Sequence, residues 1–237
     1  MRKIKKPESP KIIYFVFLLI VVLEIAGASF SAGFATSSEQ RDAAISNIFL
    51  GFLAIVLFSL PWLIESKFKF NIPNYLEIII LSFLFCSIIL GNIHGLLETV
   101  KGYDKFLHIV SGVLISIIGY EIIHSYNSSK HVNNQLKPGL LSVFAFCFSI
   151  TLLVLWEFYE FAVDTIAYNI SEDTSRNMQR YQWVNNSSFY PQPYGLMDTM
   201  LDLIVGSIGA AVVSFIGWRL LLFKQLKKVE IEEMVLE

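Results

Sequence analysis

Carboxylates and histidines stand at helical spacings beside long apolar runs in this chain. His94 and Glu98 are four residues apart, as are Asp104 and His108, with Ser111 three further on, so each group would share one face of a helix. The stretch Trp156-Glu157-Phe158-Tyr159-Glu160-Phe161-Ala162-Val163-Asp164 spaces its acids by three and then four residues. They would project in one arc about 60° wide. Asp198 and Asp202 repeat the four-residue spacing, and Gly206 and Gly209 follow on nearby faces, where they let a neighbouring helix approach. An ionisable side chain at membrane depth costs from about 2.5 kcal/mol upward, so each one requires a partner, a cavity or a function.

So many like charges cannot all stay ionised in a low dielectric without cations. A bound divalent metal resolves the conflict. The candidate ligands are His94, Asp104, His108, Asp164, Asp198 and Asp202, and the candidate catalytic carboxylates are Glu157 and Glu160. Histidine among the acids favours zinc, manganese or iron over calcium, which prefers oxygen ligands alone. Plainer roles compete for the same residues. Glu98 and Asp104 would sit in a wet loop, Asp198 would cap the start of a helix, and the acids would pair with Lys105, Arg176 or Arg180 in a purely structural network.

The elements that position these groups follow from composition. Of 237 residues 54% are hydrophobic and the mean hydropathy is +0.58, too apolar for a solvated surface, so the excess must face lipid. Apolar runs long enough to span hydrocarbon lie near residues 12–34, 43–64, 75–97, 103–126, 140–168 and 198–223. Each far exceeds a barrel strand, which gives an all-α polytopic bundle of about six transmembrane helices, read as a single integral membrane domain over 1–237. Neither nucleic-acid binding nor a disulfide framework is indicated. Cys86 and Cys147 both fall inside apolar runs.

Basic residues set the orientation. Arg2, Lys3, Lys5, Lys6 and Lys11 precede the first span, Lys67 and Lys69 follow the second, Lys130 and Lys137 follow the fourth, and Arg219, Lys224, Lys227 and Lys228 end the chain. The positive-inside rule then puts both termini in the cytoplasm. The first span resembles a signal peptide in its basic start, but Glu24 interrupts its apolar core, and an uncleaved span is the simpler reading. Late residues of the third and fifth spans and early residues of the fourth and sixth are then all external, so four helices converge on one outward-facing cluster. The outer loop 169–197 carries Arg176 and Arg180, candidate substrate-binding cations, and aromatics suited to a lid or to headgroup-depth anchoring.

Three motifs appear in order: Asp104-Lys105-Phe106-Leu107-His108 with Ser111-Gly112, Trp156-Glu157-Phe158-Tyr159-Glu160 with Asp164, and Asp198-Thr199-Met200-Leu201-Asp202 with Gly206 and Gly209. Over roughly the last four spans this set resembles the YjdF family of bacterial inner-membrane proteins. The resemblance implies a multi-pass protein of the bacterial cytoplasmic membrane and no particular activity. A more distant similarity to VanZ-like proteins, associated with tolerance to a glycopeptide antibiotic, lies in the Asp-Lys-x-x-His element and the later acid followed by glycines. Those proteins usually carry Asn four residues after that acid, where this chain has Gly206.

Three functions are expected to compete. A metal-dependent hydrolase or transferase acting on a lipid or lipid-linked substrate would use the metal to activate water and a carboxylate to move the proton. A cation or proton-coupled transporter would use the same acids for binding and release. A non-catalytic envelope-maintenance protein would use them only to fix helix packing.

Overall fold

The structure, a computed structural model, describes residues 9–68, 72–127, 136–170, 178–179 and 194–236. All regular elements among the described residues are helical: α1 (Ser9–Phe34), α2 (Ser38–Phe68), α3 (Asn74–Leu84), α4 (Leu96–Thr99), α5 (Tyr103–Asn127), α6 (Pro138–Ile170) and α7 (Tyr194–Leu236), with a π-helical continuation of α3 over Phe85–Ile93. Six candidate membrane spans lie at Ser9–Phe34, Ser38–Lys67, Asn74–Ile93, Tyr103–His124, Pro138–Ile166 and Gly195–Lys227. In hydrocarbon every backbone amide must find its partner inside the segment, and a helix is the one open-ended element that provides this. The side chains facing outward are accordingly apolar, among them Phe15, Leu19, Phe52, Phe158, Ile208 and Phe215.

The chain divides into two compact units, Met1–Tyr103 and Asp104–Glu237. The first has a core of Val21, Ala54, Phe58, Leu81, Ile88 and Ile89, against which Phe17 stacks on Phe85 with ring centroids 4.4 Å apart. Ser37 and Gln40 start α2: the Ser37 hydroxyl accepts from Gln40 N–H at 3.2 Å, and the Gln40 carbonyl oxygen accepts from Thr36 N–H at 3.2 Å.

The third span differs from its sequence reading. A single helix was expected over 75–97, with His94 and Glu98 on one face. The helix widens instead, the His94 amide reaching back five residues to Ile89 O at 2.9 Å. Gly95 then takes φ 73°, a left-handed turn that ends it. Glu98 lies beyond that break, in α4, so a spacing of four does not align it with His94.

In the second unit, α5, α6 and α7 pack through small residues. A Cβ on Gly112 would collide with the Gly206 carbonyl, and one on Gly209 with the Ile109 carbonyl, so α5 and α7 touch backbone to backbone. Buried hydroxyls lace the interfaces. Ser149 donates to Gly112 O at 3.1 Å, Ser116 meets Ser214 Oγ at 3.1 Å, and Tyr120 Oη donates to Ser214 O at 2.8 Å and meets Ser142 Oγ at 2.6 Å.

Candidate functional site

Close packing of these three helices brings one end of α5, α6 and α7 to a common depth. Asp104, Lys105 and His108 come from the first turns of α5, Asp198 and Asp202 from the first turns of α7, and Glu157 and Glu160 from the later part of α6. His108, Glu157, Glu160, Asp198 and Asp202 are all buried, between 1% and 7% exposed. Carboxylates at that burial require cations or donors, and the structure divides the cluster by what each acid receives.

Three aspartates share one ammonium. Lys105 Nζ donates to Asp104 Oδ2 at 2.9 Å, Asp198 Oδ1 at 2.5 Å and Asp202 Oδ2 at 2.8 Å. An ammonium has three N–H groups, so Lys105 is saturated. The glutamates are treated differently. Glu160 Oε1 accepts from Trp156 Nε1 at 2.8 Å, while both oxygens of Glu157, and Asp202 Oδ1, are buried without a partner at hydrogen-bond distance among the described residues.

His108 stands between the two groups. Its Nε2 faces Asp104 Oδ1 at 3.5 Å and Asp202 Oδ1 at 3.6 Å, and its Nδ1 faces Glu157 Oε1 at 3.9 Å. Two sets of potential metal-binding atoms result, Asp104–His108–Asp202 and His108–Glu157–Glu160, each with its donor atoms within 4.8 Å of one another. Donors on a tetrahedral zinc lie about 3.4 Å apart, from bond lengths near 2.1 Å. A shift of roughly an ångström or less per side chain would therefore close either set.

The other residues expected at the site are placed as follows. Asp164 accepts from the backbone N–H groups of Met178 at 2.7 Å and Gln179 at 3.0 Å, so both its oxygens anchor the chain beyond α6. Gln179 also donates through its side chain to Thr199 Oγ1 at 2.7 Å. His94 belongs to the first unit, where Nε2 meets Glu24 Oε1 at 3.0 Å, and its side chain is 47% exposed. Asp198 is no N-cap: α7 begins at Tyr194, one turn earlier, and Asp198 binds Lys105 instead. Arg176, Arg180 and most of the loop 169–197 lie outside the described residues.

Sequence reasoning placed Lys105 only as a structural counter-ion and overlooked Trp156 as a donor. A lysine at the start of an apolar span, next to Asp104, was itself the signal, because an ammonium at that depth needs anionic partners as much as the acids need cations.

Residues 13–222 match the family described as "Predicted membrane protein (DUF2238)". The chain belongs to that family. A protein of Thermotoga maritima described as "Uncharacterized protein" is 26% identical over 159 residues, covering 67% of this chain and 70% of that protein. No solved structure matches the chain. Family and helices together make this a multi-pass membrane protein.

Proposed function

We propose that this protein is a divalent-metal-dependent hydrolase or transferase acting on a lipid or lipid-linked substrate. The observation that carries the reading is Glu157: two carboxylate oxygens, buried beside an imidazole nitrogen, with no partner at hydrogen-bond distance among the described residues and only the Thr199 hydroxyl as a neighbouring neutral donor. Leaving a buried polar group unsatisfied costs about 1–3 kcal/mol, more if it is charged, and such a cost persists in a fold where a ligand repays it. His108 Nδ1, Glu157 and Glu160 form a three-donor set of the kind that leaves a position open for water or substrate.

A metal there, zinc, manganese or iron, would lower the pKa of water and polarise an ester or phosphoryl oxygen. Trp156 would fix Glu160, Asp104 and Asp202 would orient the imidazole through Nε2, and the second oxygen of Glu157 would accept the proton. The arrangement suits a substrate delivered within the bilayer, since Trp156, Phe158 and Tyr159 beside the glutamates are exposed on the apolar surface of α6. Charge bias favours cytoplasmic termini and an outward site, and the YjdF resemblance favours the bacterial inner membrane.

Purified protein in phospholipid vesicles, supplied with zinc or manganese and with phospholipid or polyprenyl phosphate substrates, tests this. Metal-dependent release of product that Glu157→Gln abolishes is expected. Equal turnover by wild type and Glu157→Gln would exclude it.

One observation favours transport as a second reading: the buried hydroxyls of Ser149, Ser116, Ser214 and Ser142, with the half-buried one of Tyr120, lie along the helix interfaces beyond the cluster. Most bond to backbone carbonyls, which is how such hydroxyls hold helices together in lipid. Metal-driven or proton-driven flux through the same vesicles, lost in Ser116→Ala, would support transport over hydrolysis.

A further inference from the structure

The cluster has three places for a cation, one on each side of the His108 imidazole and one where three aspartates converge, and the chain fills the last of them itself. Asp104, Asp198 and Asp202 converge on a single point, as carboxylates do around a metal ion, and that point is the ammonium of Lys105. The lysine side chain is 14% exposed, and Asp198 and Asp202 are 2% and 1% exposed, so the cage is closed to solvent cations while Lys105 remains in it. Asp202 faces both ways: Oδ2 accepts from Lys105, while Oδ1 has no hydrogen-bond partner among the described residues and points toward His108 Nε2 at 3.6 Å.

We infer that Lys105 is the built-in second cation of a two-cation centre: it closes the Asp104–Asp198–Asp202 cage to divalent ions, so that the protein takes one metal ion, on the glutamate side of His108. Many enzymes that displace groups at phosphorus use paired metals to offset charge on both sides of the reacting centre. Here an ammonium supplies the second charge at a fixed position and cannot be removed by chelation. It has a second effect as a positioning residue. By holding one oxygen each of Asp104 and Asp202, it leaves their other oxygens facing Nε2, an arrangement that fixes the imidazole with Nδ1 toward Glu157. The inference rests on the metal reading above for the glutamate side, but its statement about the aspartate cage is separable.

Metal stoichiometry separates the two. The full chain, purified in detergent without chelators, is loaded with Zn2+, dialysed, and assayed for zinc by elemental analysis, with gel filtration and circular dichroism as folding controls. Wild type is expected to hold one ion per chain and Lys105→Met two, the added ion being lost again in Lys105→Met with Asp198→Asn. Asp198→Asn alone, whose hydrogen bond among the described residues is to Lys105, is expected to keep one ion and covers the case in which Lys105→Met does not fold. Folded Lys105→Met with one ion, two ions in wild type, or loss of the wild-type ion in Asp198→Asn would each overturn the inference. A wild type without zinc beside a Lys105→Met that gains one would sink the proposed metal enzyme while upholding Lys105 as the resident cation. No zinc in either would sink both.

Discussion

Glu157 sets function against stability, and replacing it with methionine exposes the conflict. The carboxylate is 4% exposed, and among the described residues both its oxygens lack a partner at hydrogen-bond distance and the nearest basic atom is His108 Nδ1 at 3.9 Å, beyond hydrogen-bond reach. Methionine matches glutamate in length and volume and needs no donor. Relieving one unsatisfied buried group returns about 1–3 kcal/mol, and exchanging buried ionic groups for apolar ones of similar volume commonly stabilises by about 1–4 kcal/mol. For a chain of this size that corresponds to roughly 2 to 16 °C in the melting temperature of the metal-free protein. Zinc should reverse the order: at a thousandfold excess over Kd it stabilises wild type by about 4.1 kcal/mol and the variant not at all. Thermal unfolding in detergent, with and without zinc, reads both effects. A metal-free Glu157→Met that melts below wild type would refute the reasoning, because Glu157 would then be a structural partner of His108.

Other perturbations follow from the same contacts. Gly112→Leu places a side chain against the Gly206 carbonyl and should destabilise by about 1–3 kcal/mol or more, with loss of bound metal, whereas Gly33→Ala, with nothing within 4 Å of its Cβ, should be neutral or stabilising in the same melts. Trp156→Phe removes the donor to Glu160 Oε1, and zinc titration should show affinity weakened by about 10- to 100-fold with the fold intact. His94→Ala breaks a half-exposed pair with Glu24, worth at most about 1 kcal/mol, and should leave zinc content unchanged; loss of zinc would restore His94 as a ligand.

The spans were legible because length and apolarity alone decide them, and every run was long enough to exclude a strand. Ends were less so. The last helix was expected over 198–223 and runs Tyr194–Leu236, because Lys and Glu continue a helix as readily as apolar residues do once hydropathy stops marking it. The π-helical turn at Phe85–Ile93 left no mark in a pattern read at 3.6 residues per turn, so the pairing of His94 with Glu98 was misjudged. At the site, helical spacing and chain direction grouped Asp104, His108, Glu157, Glu160, Asp198 and Asp202, and these side chains do lie together, since residues one turn apart at matched depths on packed helices meet. Spacing could not say which acids a lysine neutralises, nor that Asp164 turns to backbone amides. Those depend on side-chain reach and on chain beyond the helix ends.

X-ray absorption at the zinc edge, on the full chain purified without chelators, tests the central claim most directly. The account predicts one imidazole, with the remaining ligands oxygen at about 2.0–2.2 Å, and loss of this signal in Glu157→Gln. A wild-type protein that binds no zinc, or a spectrum requiring thiolate sulfur or more than one imidazole, would contradict it.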